Sequence, residues 1–157
     1  MLKFHSAELT FPHMNKLNQI LRRIRSILRV CRPHPAVRSS QGEIDRRIRH
    51  ALVEWLAAGK HRDEYPSMES VATELGFSRE QLSFFFSNSV RQRFSSWRKE
   101  LRIEEAKALL LEYPDLPASA IGAMVGIPDK SNFRRQFQEL TGCTPGEWRA
   151  ACLGKEG

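Results

Sequence analysis

The chain has 157 residues, 27% of them charged and 41% hydrophobic, with a formal net charge of +7. That length accommodates one domain, or one small domain with an appendage, and no apolar stretch approaches the ~18 residues a membrane-spanning helix needs. Cys31, Cys143 and Cys152 are odd in number and form no CxxC pair, which argues against a disulfide framework or a zinc site and suits reduced thiols in a cytoplasmic protein.

The charge is unevenly placed. Residues 1–43 carry +6 of the net charge, and residues 44–157 only +1. The basic balance by itself suggests a polyanion partner, but most of it comes from the N-terminal segment. Within the remainder, Arg79, Arg91, Arg93, Arg98, Lys99 and Arg102 cluster in sequence, as do Lys130, Arg134 and Arg135. A near-neutral domain with one basic face is the expectation.

Residues 1–15 lack the basic start, apolar block and cleavage site of a secretory signal. From Met14 the apolar residues Met14, Leu17, Leu21, Ile24, Leu28 and Cys31 fall three and four apart, with Lys16, Arg22, Arg23, Arg25 and Arg29 between them. This predicts an amphipathic helix over 14–31 with a basic face, ended before Pro33. Its stripe suggests pairing with another copy, or docking on DNA phosphates or an anionic surface. Residues 32–42 read as a linker. Residues 1–43 are therefore set apart from a domain over 44–153.

From Ile44 the pattern is helical throughout. Ile44, Ile48, Leu52, Trp55 and Leu56 form one apolar stripe. A helix over Met68 to Leu75 has Ser67 as N-cap and stops at Gly76; Ser78 caps the next, with Gln81 completing a capping box. A long helix spans about Ser95 to Leu111 and closes before Pro114. A short helix then runs from Pro117 to Val125. Asp129 caps another from Lys130 to Gly142, and Thr144 with Pro145 opens the last. No segment alternates with period two, so the fold class is all-α.

An internal repeat underlies this order. Gly76 and Gly126 are 50 residues apart, and Ser78/Asp129, Leu82/Phe133, Phe86/Phe137, Trp97/Trp148 and Arg98/Arg149 are each 51 apart. Each copy is a short helix, a glycine turn and a second helix, which is the helix-turn-helix plan present twice. A single such pattern arises in any helical bundle; two copies at one offset with matching caps are much harder to obtain by accident. The bridging helix of about 17 residues gives a rod of roughly 25 Å. With the widths of the units it joins, that permits second helices about 34 Å apart, one turn of B-DNA.

The residues also carry a resemblance. Arg102 and Ile103, Ala106, Leu109 and Leu110, Gly126, Asp129, Phe133, Phe137, Gly142, Thr144 and Pro145, and Trp148 and Arg149 stand in the order and spacing of the C-terminal domain of AraC/XylS-family transcription regulators. The likeness covers residues 44 to 150. It implies a seven-helix domain, two helix-turn-helix units gripping adjacent major grooves, and commonly RNA polymerase as a partner. Ile127 stands where the family usually has Phe, Gly122 where it has Ala, and Arg91 where the first unit has a helix-ending Gly. A non-glycine residue at such an end either accepts a left-handed backbone at ~1 kcal/mol or ends the helix differently.

On the second recognition helix, Phe133, Phe137 and Leu140 are expected inside, and Lys130, Ser131, Asn132, Arg134, Arg135 and Gln138 outside. Arg forks guanine O6/N7 and Asn pairs bidentately with adenine, whereas Lys and Ser more often settle on phosphates. On the first, Leu82, Phe85, Phe86 and Val90 fall on the core side. Arg79, Glu80, Ser83, Phe84 and Ser87 face out, and Phe84 takes the place equivalent to Arg135. An outward Phe84 presses on a thymine methyl or a sugar, is a lone exposed hydrophobe, or packs against the N-terminal segment or another protein. The sequence leaves all three open.

No enzyme chemistry is legible. The five histidines show no HExxH spacing and no phosphate-binding glycine loop is present, so no catalytic residue, metal ligand or cofactor is expected. Asp45, Glu54, Glu104 and Glu105 read as solvated partners of neighbouring Arg and Lys, and Trp97 and Trp148 as core. The expectation is a bacterial, cytoplasmic, sequence-specific regulator of transcription that binds double-stranded DNA. The alternative is a helical protein-interaction module that keeps the fold, binds DNA weakly or not at all, and pairs through Phe84 and the N-terminal helix.

Overall fold

In the computed structural model, which describes residues 40–64 and 66–154, the first helix α1 runs Ser40–Ala57 and buries Ile48, Leu52, Trp55 and Leu56. It begins four residues ahead of Ile44, inside the stretch that reads as linker. The expected helix over 14–31 lies outside the described residues. After α1, Gly59 takes a left-handed conformation (φ 73°) and leads into a single 3₁₀ turn, Lys60–Arg62.

Helix α2 (Met68–Glu74) starts where the Ser67 hydroxyl accepts the Ser70 N–H at 3.0 Å, and buries Val71 and Ala72. Gly76 (φ 76°) makes the turn. Helix α3 (Arg79–Phe84) opens on the capping box expected from Ser78 and Gln81 and continues as a π-helical turn, Phe85–Val90. The long helix α4 spans Phe94–Glu112. Helices α5 (Ala118–Met124), α6 (Lys130–Thr141) and α7 (Pro145–Leu153) follow, with Asp129 capping α6 through the Asn132 N–H and Thr144 with Glu147 forming a capping box at α7. The described residues therefore form seven α-helices and no strand.

Burial divides this chain into two cores. The first gathers α1, α2, α3 and its π turn around Phe85, Phe86, Phe94 and Trp97. The second gathers α5, α6 and the C-terminal part of α4 around Leu110, Ile121, Phe133 and Phe137. Helix α4 serves both, giving Phe94, Trp97 and Leu101 to the first core and Ile103, Ala106 and Leu110 to the second. Trp97 is buried, and Trp148 packs against the second core while the Lys107 ammonium sits 4.7 Å from its ring centre.

The repeated Trp–Arg pairs have a structural reason. Arg98 donates from Nε to the His61 carbonyl at 3.0 Å, and Arg149 donates to the carbonyls of Leu110 and Leu116 at 3.1 and 2.7 Å. In each unit the arginine after the tryptophan thus holds a backbone carbonyl ahead of that unit's helix-turn-helix, His61 in the first and Leu116, with Leu110 at the end of α4, in the second. Two departures from the family pattern also find an account. Ile127 fills the second core in place of a ring. A Cβ on Gly122 would lie 2.8 Å from the Phe133 ring and 2.9 Å from the Ile127 carbonyl oxygen, so α5 and α6 approach closer here than alanine allows.

Candidate nucleic-acid interface

The outward face of α3 is set by the aromatic run behind it. Phe85 and Phe86 are 0% and 2% exposed, whereas Phe84 is 48% exposed. Phe86 packs edge-on to three rings, with centroids 5.6 Å from Phe85, 5.3 Å from Phe94 and 5.2 Å from Trp97. Arg49 of α1 covers the Phe85 ring at 5.3 Å. With those two rings fixed inside, Arg79, Glu80, Ser83, Phe84 and Ser87 all lie on the exposed side. This face is poor in cations. Glu80 is an outward acid whose carboxyl is held below its ordinary range by its own backbone N–H and by the Ser78 hydroxyl, so it opposes a phosphate placed beside it.

The π turn ends at Arg91, the single non-glycine among the described residues with positive φ (57°, ψ 33°), and its N–H reaches back to the Phe86 carbonyl. Of the two ways such a residue could end the helix, the left-handed backbone is the one adopted. Arg91 and Arg93 are exposed beside a shallow depression lined also by Ser83, Ser87 and Met68.

The outward face of α6 carries an ordered polar network. Lys130, Ser131, Arg134, Arg135 and Gln138 are exposed and Asn132 is half-buried. Arg135 donates from Nη2 to Asn132 Oδ1 at 2.8 Å and from Nη1 to Glu139 Oε1 at 3.1 Å. Gln136 donates to the same Asn132 oxygen at 2.9 Å, and Lys99 of α4 reaches Glu139 Oε2 at 3.2 Å. The Lys99 hydrogen bond, with the nearby Arg135 charge, holds the Glu139 carboxyl below its ordinary range. An exposed guanidinium and a half-buried amide are thus ordered side by side, with the Asn132 oxygen and both Arg135 Nη groups paired within the helix face. Glu139 escaped the sequence reading, although its i+4 spacing from Arg135 was the signal for it.

Four expectations are corrected. Leu140 is 40% exposed rather than inside, because it lies three residues past Phe137 where α6 leaves the core. Arg98 and Arg102 do not join the basic face: both turn under the loop after α1, where burial lowers the pKa of Arg102 and, with the Arg102 charge, brings that of Arg98 to about 10. Glu105 is 4% exposed rather than solvated, and its partners are the equally buried His61 and the exposed Arg62. The linker predicted up to residue 42 gives way to helix at Ser40.

A family model described as a helix-turn-helix domain matches residues 71–151, both units included. The chain belongs to the AraC-type helix-turn-helix family. This AraC-type domain is 37% identical over 90 residues to the arabinose operon regulatory protein of Salmonella typhimurium, covering 57% of this chain and 32% of that protein. It is 38% identical over 86 residues to the protein of the same name from Escherichia coli, covering 55% and 29%. The chain thus spans about a third of the length of these curated relatives. Among solved structures, the C-terminal domain of AraT, a response regulator from Geobacillus stearothermophilus, superposes with a TM-score of 0.58 at 28% identity, covering 72% of this chain and 88% of that one. These relatives are named as regulators, a non-enzyme kind of protein. No helix among the described residues is long and apolar enough to cross a membrane.

Proposed function

We propose that this protein binds double-stranded DNA in a sequence-dependent way and regulates transcription, with α3 and α6 entering successive major grooves. The observation that carries the reading is the ordered set on α6, in which the exposed Arg135 is held by the half-buried Asn132 among the exposed Lys130, Ser131, Arg134 and Gln138. On α3 the contacts fall to Arg79, Glu80, Ser83, Phe84 and Ser87. RNA polymerase as a partner, self-association through residues 14–31 and a place in the bacterial cytoplasm belong to the same proposal.

A selection from random duplexes with the full chain, followed by a salt series on the recovered sequence, tests it. Each neutralised phosphate contributes about −0.9 to the slope of log K against log salt, so affinity falls by powers of ten as salt rises. Failure to enrich any sequence counts against the reading. One observation favours the rival interaction module: Phe84 stands exposed where Arg135 stands in the second unit. Apolar pairing with a protein through that ring would be insensitive to salt, which separates the two.

A further inference from the structure

The two cores share no residue, and α4 is the element that joins them. One more segment crosses from the first unit to the second. After α1 the chain lays Gly59 to Asp63 across α4, which holds it from one face through positions 98, 102 and 105. Arg98 and Arg102 both donate from Nε to the His61 carbonyl, at 3.0 and 2.8 Å, and Arg102 Nη2 donates to the Asp63 carbonyl. Glu105 takes the side chains, pairing with His61 Nε2 at 2.9 Å and Arg62 Nε at 3.1 Å, while Arg62 Nη2 reaches its other oxygen.

The far side of this segment meets the turn of the second unit. A Cβ on Gly126 would lie 1.9 Å from the Arg62 carbonyl oxygen and 2.8 Å from its carbon. The equivalent glycine of the first unit, Gly76, has the same left-handed backbone (φ 76° against 81°), yet a Cβ there would meet nothing within 4 Å. Turn geometry therefore accounts for glycine at both positions and leaves the contact at Gly126 unexplained.

We propose that His61, Arg62, Arg102 and Glu105, closed against Gly126, form a clamp that fixes the second helix-turn-helix unit on α4, making them positioning residues for the spacing at which α3 and α6 read DNA. For α6 to swing about α4, the Gly126 turn must leave the Arg62 carbonyl. Further motion of the segment uncovers the buried Glu105 carboxylate and takes the His61 and Asp63 carbonyls from Arg98 and Arg102, and removing the partners of buried charged groups is strongly resisted even where the intact set adds little to net stability. Burial alone would raise the Glu105 carboxyl, but the His61 and Arg62 hydrogen bonds outweigh it and hold the group ionised. The proposal rests on the two-groove reading above. Under that reading, inserting one base pair between half-sites rotates one of them by roughly 35°, and a rigid clamp penalises it.

The test uses the full chain with its cysteines replaced by serine and nitroxide labels at the exposed positions Glu69 and Ala123, one in each unit. The distance distribution between labels is compared for the parent, Glu105→Gln, Gly126→Ala and Gly76→Ala. The clamp predicts broadening or displacement for Glu105→Gln and Gly126→Ala and none for Gly76→Ala. Glu105→Gln keeps volume and shape, so it remains informative if Gly126→Ala does not fold. Unlabelled variants are then titrated with the selected duplex and with the same duplex carrying one inserted base pair. The parent should lose roughly tenfold in affinity on insertion, the scale of a lost base contact, and Glu105→Gln no more than about threefold. Unchanged distances in folded Glu105→Gln overturn the clamp. Changed distances with unchanged spacing preference overturn its role in reading. If the parent selects no duplex at all, the DNA reading fails, while the distance measurement still decides the clamp.

Discussion

The second helix of each unit ends at an equivalent place, and the two endings reach the same backbone by different means. Gly142 closes α6 at φ 80°, the left-handed conformation glycine adopts without penalty. Arg91 closes the first unit at φ 57° with a side chain that disfavours it, after a π turn rather than a regular last turn. What holds the first ending is the aromatic cluster, with Phe86 meeting three rings and Phe85 clamped under Arg49. Local preference shapes the second unit, whereas packing imposes its form on the first. The outward faces differ in the same sense: α6 presents an ordered Asn–Arg–Glu network, while α3 presents a ring, one arginine, an acid and hydroxyls.

The largest effect that could break this comparison lies in the aromatic run. Phe86→Ala should lower stability by about 3–5 kcal/mol, as should Phe137→Ala in the second unit, whereas Phe84→Ala should stay within about 0.5 kcal/mol. Thermal melting of the three variants checks this; equal losses at positions 84 and 86 would mean that the rings do not sort as described. Next comes binding. Arg135→Ala should weaken the selected duplex by about 1–3 kcal/mol and relax preference at one base pair, with Ser83→Ala weaker in effect. A sharper loss from Ser83→Ala, measured on the same duplex, would reverse the ranking of the two faces.

The two helix ends give a smaller, paired effect. Arg91→Gly should raise stability by up to about 1 kcal/mol by relieving the left-handed backbone, and Gly142→Ala should lower it by a similar amount. If Arg91→Gly destabilises instead, the arginine side chain contributes more than its backbone conformation takes away. The smallest effect near neutrality is a slope. The pKa of Glu105 is depressed in the folded state, so its contribution is fully present above the ordinary value of 4.5 and lost as pH falls through the lower folded value. Acid titration of stability should therefore be flatter for Glu105→Gln than for the parent below about pH 4.5, and a coincident pair of curves would remove Glu105 from the acid response.

Much of this was written locally. Ser67, Ser78, Asp129 and Thr144 announce their helices because a short side-chain oxygen capping a first turn is a nearest-neighbour event. The repeat offset and the inward rings follow from period alone. What escaped depended on partners distant in sequence. Glu105 looks solvated beside Arg102 and Lys107, and only the fold brings His61, 44 residues earlier, against it. Arg98 and Arg102 read as part of a basic patch until the loop carbonyls they hold are in view. The π turn has no spacing rule of its own, and Leu140 sits at a helix end where the inward stripe runs off the core. The outward sets of α3 and α6 were legible as faces, since that much follows from where the rings go.

Gly126 has one further consequence, for how the molecule comes apart. Two halves with separate cores would ordinarily melt as two transitions. Here the first half carries on its surface a loop whose acid, Glu105, sits in the part of α4 that feeds the second core, and whose carbonyl at Arg62 needs the bare backbone of the second half's turn. A chain cut within α4 after Leu101 would keep the Arg98 hydrogen bond to the His61 carbonyl but lose both Glu105 and Gly126. If the clamp holds, the duplicated halves should unfold together in one transition, and calorimetry should split that transition in Gly126→Ala.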